Sequence, residues 1–161
     1  MTEREYNKCV DEYADGVYRF ILKNLQHEED ARDIVQSAFE KMWINREKVV
    51  QATGKSYLFT VAYHQMIDHI RKSKRVQLQD DFSQDIREER AVSPGSKREL
   101  EAALQRLTPL QKSLILLKDY EGYSYDEIGK ITALNASQVK VYLHRARILL
   151  RDIVGSPENI L

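Results

Sequence analysis

The segment 123–150 constrains the fold more than any other part of the chain, because it contains two helix starts separated by a short turn. Ser124 is followed three residues later by Glu127, and this pair is a capping box that predicts a short helix. Asn135 and Gln138 repeat the pattern, and Asn is among the best residues at the start of a helix. The segment therefore predicts a helix-turn-helix.

The second helix of this motif has an apolar stripe and a basic face. Its apolar residues recur at helical spacing and predict one buried stripe: Val139, Leu143, Ala146, Leu150 and Ile153. Four bases and no acid lie within residues 140–151, which favours a negatively charged partner. Bases near a helix C-terminus also interact with the helix dipole, and charged faces are often only solvated. That alternative is strongest for Arg151 and weakest for Lys140 and Arg145, in the half of the helix that contacts bases in helix-turn-helix proteins.

Composition indicates a globular protein. Of 161 residues, 42% are hydrophobic and 31% are charged, and no apolar run is long enough to span a membrane. The first residues are charged and do not resemble a secretory signal, so a cytoplasmic location is expected. Cys9 is the single cysteine, which excludes an intramolecular disulfide; a buried, unreactive thiol is the expectation. The histidines have no ligand spacing, so neither a metal nor another cofactor is expected.

The net charge is zero, but the charges are segregated along the chain. Residues 1–47 carry −4, residues 48–75 carry +5, residues 76–95 carry −3 and residues 96–161 carry +2. Separate acidic and basic surfaces suggest two different partners.

Apolar periodicity predicts an all-α protein of two small helical domains. Before the motif, helices are predicted at 5–25, 28–45, 56–73, 97–107 and 108–120. Residues 76–95 are polar and acidic and end in Ser-Pro-Gly, which predicts a flexible linker that spans at most about 66 Å. The predicted organisation is a first domain at 1–75, the linker at 76–95 and a second domain at 96–161.

Three segments of the chain, 30–43, 57–75 and 107–147, resemble the extracytoplasmic-function (ECF, group IV) sigma factors of bacterial RNA polymerase, in the sigma-70 family. The resemblance implies that the first domain is sigma region 2, a three-helix domain that binds core polymerase and the minus-ten promoter element. It implies that the second domain is sigma region 4, a four-helix domain that binds the minus-thirty-five element and the polymerase flap.

The resemblance also implies residue roles in region 2. Acidic and polar residues of the second helix are expected to contact the polymerase clamp helices: Asp30, Asp33, Gln36, Ser37 and Glu40. The loop at 45–55 and the third helix are expected to contact the minus-ten element through Asn45, Lys48, Lys55, Tyr63, His64, Arg71, Lys72, Lys74 and Arg75. Phe59 and Tyr63 are possible stacking surfaces for a flipped base, although aromatic residues at helical spacing are more often core. Thr60, Tyr63 and His64 depart from the arginines and asparagine that are frequent at these positions in the family.

In region 4, the resemblance implies base or phosphate contacts by Ser137, Gln138, Lys140, Val141, His144, Arg145 and Arg147. Arginine can pair with guanine and valine can contact a thymine methyl group. The role of Gln138 in the capping box competes with base contact. Ala133 replaces the usual glycine of the turn, which is costly if its φ is positive.

The expected function is promoter recognition by a non-enzymatic sigma factor, with core RNA polymerase, promoter DNA and an anti-sigma factor as partners and no membrane insertion. An autonomous dimeric helix-turn-helix regulator is the main alternative, and it predicts tight DNA binding without polymerase. A helical enzyme is a weaker alternative, because no activated nucleophile or phosphate-binding glycine loop is evident. The sequence leaves open whether the two domains are docked in the free chain. Contacts of Asp80, Asp81, Glu88 and Glu89 with the bases at 71–75 are one hypothesis for a closed form.

Overall fold

The computed structural model describes residues 1–79 and 97–155. Within these ranges, the regular structure is entirely helical. The helices are α1 (Glu3–Leu25), α2 (Glu28–Ile44), α3 (Gly54–Gln79), α4 (Lys97–Leu104), α5 (Pro109–Ile115), α6 (Tyr125–Thr132) and α7 (Ala136–Val154). The predicted all-α fold, with three helices before the linker and four after it, is confirmed.

In the N-terminal domain, α1, α2 and α3 each pack against the other two. The apolar stripe of α2 is buried, and it consists of Ala31, Ile34, Ala38, Phe39 and Met42. Ala31, Ala38 and Met42 are each at 0% exposure. Helix α1 begins two residues before the prediction because Thr2 caps it, with a reciprocal hydrogen bond from the Thr2 backbone to Glu5.

Helix α3 is longer than predicted at both ends. It begins at Gly54, after a short 3-10 turn at Gln51–Thr53, and it continues to Gln79. A Cβ at Gly54 would lie 2.9 Å from the Cys9 sulfur, so a larger residue there would have to displace the Cys9 side chain. Residues 76–79, which the sequence analysis placed in the linker, are helical. The remainder of the predicted linker, including Asp80 and Asp81, lies outside the described residues.

In the C-terminal domain, α4 ends at Leu104, three residues before the prediction. Helix α5 begins as predicted, with a capping box between Thr108 and Gln111 and Pro109 in the first turn. The predicted single helix at 108–120 is α-helical only to Ile115 and continues as a π-helical turn, Leu116–Tyr120. The chain then turns at Gly122, whose φ of 74° suits glycine.

The helix-turn-helix has the predicted geometry. Ser124 and Asn135 cap α6 and α7, and both capping boxes are complete. The turn residue Ala133 has a φ of 62°, so this position has the left-handed conformation that glycine adopts without cost. Close packing is instead achieved at Gly129, where a Cβ would lie 2.5 Å from the Leu134 carbonyl oxygen.

The two domains are docked against each other in the structure. Helix α3 contacts α6, and α1 contacts α5. At the centre of the interface, Phe59 is 1% exposed and its ring meets that of Tyr123 edge-on, with 4.9 Å between the centroids. The buried residues of both domains therefore form one continuous cluster.

Replacing Ala133 by glycine tests the strain in the turn. We expect the Ala133→Gly variant to be more stable by roughly 0.5–1 kcal/mol, because glycine removes the cost of the left-handed conformation at an exposed position. The matched control is Ala102→Gly on the exposed side of α4, which should lose roughly 0.5–1 kcal/mol. Urea unfolding of both variants measures the change, and a loss of stability in Ala133→Gly would contradict the assigned turn.

Candidate nucleic-acid and polymerase interfaces

Helix α7 buries one side and exposes the other, as its sequence pattern predicts. Val139, Leu143 and Ala146 are at most 1% exposed. All the side chains predicted to contact the minus-thirty-five element are on the exposed side: Ser137, Gln138, Lys140, Val141, His144, Arg145 and Arg147. Val141 lies on the same side and is 46% exposed.

The bases on this face differ in their surroundings. Within the described residues, Arg145 has no ion-pair partner, and the Lys140 ammonium lies 5.3 Å from the centre of the Tyr125 ring. Arg147 instead forms a forked ion pair with Asp119, and these hydrogen bonds raise the pKa of Arg147. Arg147 therefore connects α7 to the preceding π-helical turn, whereas Arg145 is available to a ligand.

Gln138 is exposed, but its side-chain oxygen accepts a hydrogen bond of 3.0 Å from the Asn135 backbone. This bond is half of the capping box that starts α7. The competition between capping and base contact that the sequence suggests is thus present in the structure.

The second basic surface lies at the C-terminal end of α3. Arg71, Lys72, Lys74 and Arg75 are all exposed, and so are His64 and Lys48. Among the described residues, none of these bases forms an ion pair, so their charge is available to phosphates.

Three residues predicted for the minus-ten element are held by other parts of the protein. The Asn45 amide donates hydrogen bonds to the Lys41 carbonyl at 2.9 Å and to the Tyr57 hydroxyl at 3.1 Å. Tyr63 is 6% exposed, and burial raises the pKa of its hydroxyl. Lys55 contacts the second domain. This contact depends on how the domains dock, which no local sequence pattern encodes.

The sequence pattern did not predict two exposed apolar residues at the loop 45–55. Ile44 is 73% exposed at the end of α2, and Val50 is 58% exposed. Ile44 lies outside the apolar stripe of α2, and this was the one sequence feature that could have identified it. Nearby, the Arg46 guanidinium lies 4.1 Å from the centre of the Trp43 ring.

The predicted polymerase-binding residues of α2 form two groups. Asp33, Gln36 and Glu40 are exposed, and Gln36 donates a hydrogen bond of 3.3 Å to Glu40. Asp30 and Ser37 are partly buried and face α3.

The contacts of Asp30 and Ser37 explain two polar residues that interrupt the apolar pattern of α3. The His69 ring nitrogen lies 3.1 Å from the Asp30 carboxylate, and the Gln65 amide donates a hydrogen bond of 2.9 Å to the Ser37 hydroxyl. These pairs position α2 on α3, so the exposed group is the better candidate for contact with another protein.

In the part of the chain that the structure describes, no group of His, Cys, Asp and Glu side chains is arranged to hold a metal ion. No helix in the same ranges is long and apolar enough to cross a membrane. Cys9 is 1% exposed, and burial raises the pKa of its thiol, in accord with the expected unreactive cysteine.

Comparison with protein families identifies both domains. Residues 9–76 match Sigma-70 region 2, and residues 97–150 match Sigma-70 region 4. The chain belongs to the sigma-70 family. The two matches follow each other in the order predicted and include the polymerase, minus-ten and minus-thirty-five candidate surfaces.

Individual relatives are RNA polymerase sigma factors, and several of them are named ECF. The chain is 29% identical to the RNA polymerase sigma factor SigV of Bacillus subtilis, over 89% of this chain and 87% of SigV. It is 26% identical to the ECF RNA polymerase sigma factor SigE of Mycolicibacterium smegmatis, over 93% of this chain and 62% of SigE.

A solved structure has the same fold. The sigma factor RpoE of Bartonella quintana, crystallised with the anti-sigma factor NepR, superimposes with a TM-score of 0.77 at 22% identity. The match covers 96% of this chain and 99% of RpoE, so the similarity includes both domains.

The different surroundings of Arg147 and Arg145 lead to opposite expectations for stability. We expect Arg147→Ala to lose about 0.5–1 kcal/mol, because it removes a half-exposed ion pair within the domain. Arg145→Ala, in the same helix, should change the free energy of unfolding by less than about 0.5 kcal/mol. Chemical denaturation distinguishes them, and equal losses would contradict a purely surface role for Arg145.

Proposed function

We propose that this chain is an ECF-type sigma factor that binds core RNA polymerase, directs it to promoters and takes part in promoter opening. The observation that carries the proposal is the exposed face of α7, with Lys140, Val141, His144 and Arg145, on a helix-turn-helix joined to a region 2 domain. The role is recognition rather than catalysis. The site of action is the cytoplasm, where bacterial polymerase transcribes.

Region 4 contacts the minus-thirty-five element through the major groove. Arg145 is placed to donate two hydrogen bonds to guanine, and Val141 to contact a thymine methyl group. Lys140 and His144 lie on the same face and add contacts to bases or phosphates.

Region 2 contacts the minus-ten element through the basic end of α3. Arg71, Lys72, Lys74 and Arg75 bind the DNA backbone, which requires charge rather than exact geometry. The loop beside Ile44 and Val50 adds an exposed apolar surface for an unstacked base. Tyr63 is buried, so it is not available to stack on DNA in this arrangement.

Core polymerase binds the exposed residues Asp33, Gln36 and Glu40 of α2, and the flap binds region 4. Charge complementarity supports this assignment, because the exposed acids of α2 suit a basic partner helix. The RpoE relative was crystallised with an anti-sigma factor, and we propose that a protein of that class also regulates this chain.

Run-off transcription with purified core polymerase and a promoter library tests the proposed function. Specific starts that require both the chain and the polymerase are expected. Tight, dimeric binding of promoter DNA by the chain alone, without polymerase-dependent starts, would favour an autonomous regulator instead.

The recognition face is tested by Arg145→Ala with Arg151→Ala as the matched control. Loss of a bidentate contact to guanine should lower the rate of initiation by roughly 5- to 100-fold and relax specificity at one position of the minus-thirty-five element. Arg151 is exposed near the end of the same helix, and its replacement should change initiation by less than about twofold. Equal effects of the two replacements would argue against the assigned recognition face.

The polymerase-binding face is tested by the charge reversal Asp33→Lys. We expect affinity for core polymerase to fall by roughly tenfold, because a lysine would face the basic clamp helices. The control Asp11→Lys makes the same change at an exposed position on α1 and should bind normally. Equilibrium binding of labelled protein to core polymerase measures both, and an unchanged affinity for Asp33→Lys would exclude this face.

A further inference from the structure

We propose that Asp119 masks one base of the recognition face: by holding Arg147 in an ion pair, it lowers the affinity of the second domain for DNA phosphates, whatever the sequence of the DNA. Arg147 has the helical position of a DNA contact, but its charge is neutralised by Asp119 within the domain. The inference rests on the proposed function, because the mask has a consequence only if this face of α7 lies against DNA.

Arg147 shares one side of α7 with two residues of the proposed recognition face. Lys140, His144 and Arg147 are at positions i, i+4 and i+7, the spacing that places side chains along one side of a helix. All three residues are exposed. A partner that covers Lys140 and His144 therefore also approaches Arg147, and it meets whatever charge surrounds that arginine.

The other bases of α7 are not neutralised in this way. The helix has four, Lys140, Arg145, Arg147 and Arg151, and within the described residues only Arg147 forms an ion pair. The Lys140 ammonium lies beside the Tyr125 ring, a contact that leaves its positive charge in place. Asp119 therefore lowers the charge of an otherwise basic face at one position.

The π-helical turn at Leu116–Tyr120 brings Asp119 to α7. Single π turns are uncommon in proteins and occur frequently at functional sites. The preceding residue of this turn, Lys118, also contacts the helix-turn-helix, with its ammonium 4.7 Å from the centre of the Tyr125 ring. Two successive residues of the turn thus reach the DNA-binding motif, one basic and one acidic, and the acid is the one that pairs with Arg147.

The ion pair occupies donors that suit a phosphate. The Nε and Nη2 groups of Arg147 both donate to the Asp119 carboxylate, with 3.1 Å between Nε and Oδ2. Arginine uses the same parallel pair of hydrogen bonds to bind two oxygens of a phosphate. Carboxylate and phosphate therefore compete for the same donors, and a phosphate near the pair also meets the negative charge of Asp119.

The pair lies where DNA can reach it. The Arg147 side chain is 44% exposed and the Asp119 side chain is 39% exposed. Ion pairs at this exposure are weak, because water and salt screen them. Asp119 thus restrains Arg147 without locking it, and we expect a moderate effect on DNA binding.

A positioning role for Asp119 gives the opposite prediction. If the carboxylate held Arg147 in the orientation that a DNA contact requires, its removal would weaken binding. Charge favours masking, because a phosphate that approaches Arg147 also approaches a carboxylate one hydrogen bond away. The sign of the change in affinity separates the two roles.

The mask bears on how the chain is distributed between DNA and polymerase. A phosphate contact adds affinity for every sequence alike, and a genome offers about 10⁶–10⁹ competing non-specific sites. Weaker binding to those sites leaves more of the chain free to bind core polymerase.

The test uses the full chain and the isosteric change Asp119→Asn, which removes the negative charge. Arg147→Ala and the double variant complete a cycle that isolates the pair. The control Asp152→Asn makes the same change at an exposed residue of α7 that has no ion pair within the described residues. Fluorescence anisotropy measures affinity for a labelled duplex of arbitrary sequence at several salt concentrations, and run-off transcription with core polymerase measures promoter use.

Asp119→Asn should bind the duplex roughly 3- to 10-fold more tightly, because one more phosphate is neutralised. For the same reason, its affinity should fall more steeply with salt, by about 0.9 in the slope of log K against log salt concentration. Arg147→Ala should change the wild-type affinity by less than about twofold, and it should abolish the gain in the double variant. The control Asp152→Asn should differ from wild type by less than about twofold.

An unchanged or lower affinity of Asp119→Asn would overturn the mask. A gain that survives in the double variant, or that appears equally in Asp152→Asn, would overturn it as well. If wild type still directs polymerase-dependent starts in these cases, the mask alone fails. If no variant binds the duplex and none directs starts, the proposed function fails, and the mask that rests on it fails too.

Discussion

Reciprocal capping of helix starts is the interaction on which the rest of this structure depends. Helices α5 and α6 have seven and eight residues, too few to be stable alone in water. Each begins with a complete capping box, as do α1 and α7, and each cap contributes about 1 kcal/mol. The caps also fix the residue at which each helix begins, whereas the apolar spacing sets which side chains point away from the core.

For α7, the cap at Asn135 and the apolar spacing together define the exposed face. With the helix fixed there, Val139 and Leu143 face the core, and Lys140 and Arg145 face outwards. A start one residue later would not change the apolar stripe, but it would leave Gln138 without its capping partner. The same local pattern is visible in the sequence, which is why the helix-turn-helix and its exposed face could be predicted.

Features that depend on contacts between distant segments could not be predicted in the same way. Gln65 and His69 interrupt the apolar stripe of α3 because they pair with Ser37 and Asp30, and the periodicity of one helix cannot reveal a partner on another. Arg147 has the spacing of a DNA contact, but it pairs with Asp119. The docking of the domains could not be predicted for the same reason. The partners in its three ion pairs, Arg19–Glu121, Lys23–Glu101 and Lys55–Glu127, are between 72 and 102 positions apart in the sequence.

Segment charges were informative about partners but not about the interface. Residues 1–47 carry a net charge of −4, yet two of the three bases that face the second domain, Arg19 and Lys23, lie within them. Net charge describes the field far from the protein, whereas docking depends on single pairs a few ångströms apart.

Lys55 takes part both in a single ion pair between the domains and in the proposed contact with DNA. Glu127 and promoter phosphates would compete for its ammonium group. Salt weakens both contacts, the half-exposed ion pair and the phosphate contact alike. Higher salt would therefore weaken the Lys55–Glu127 pair and the proposed phosphate contact together.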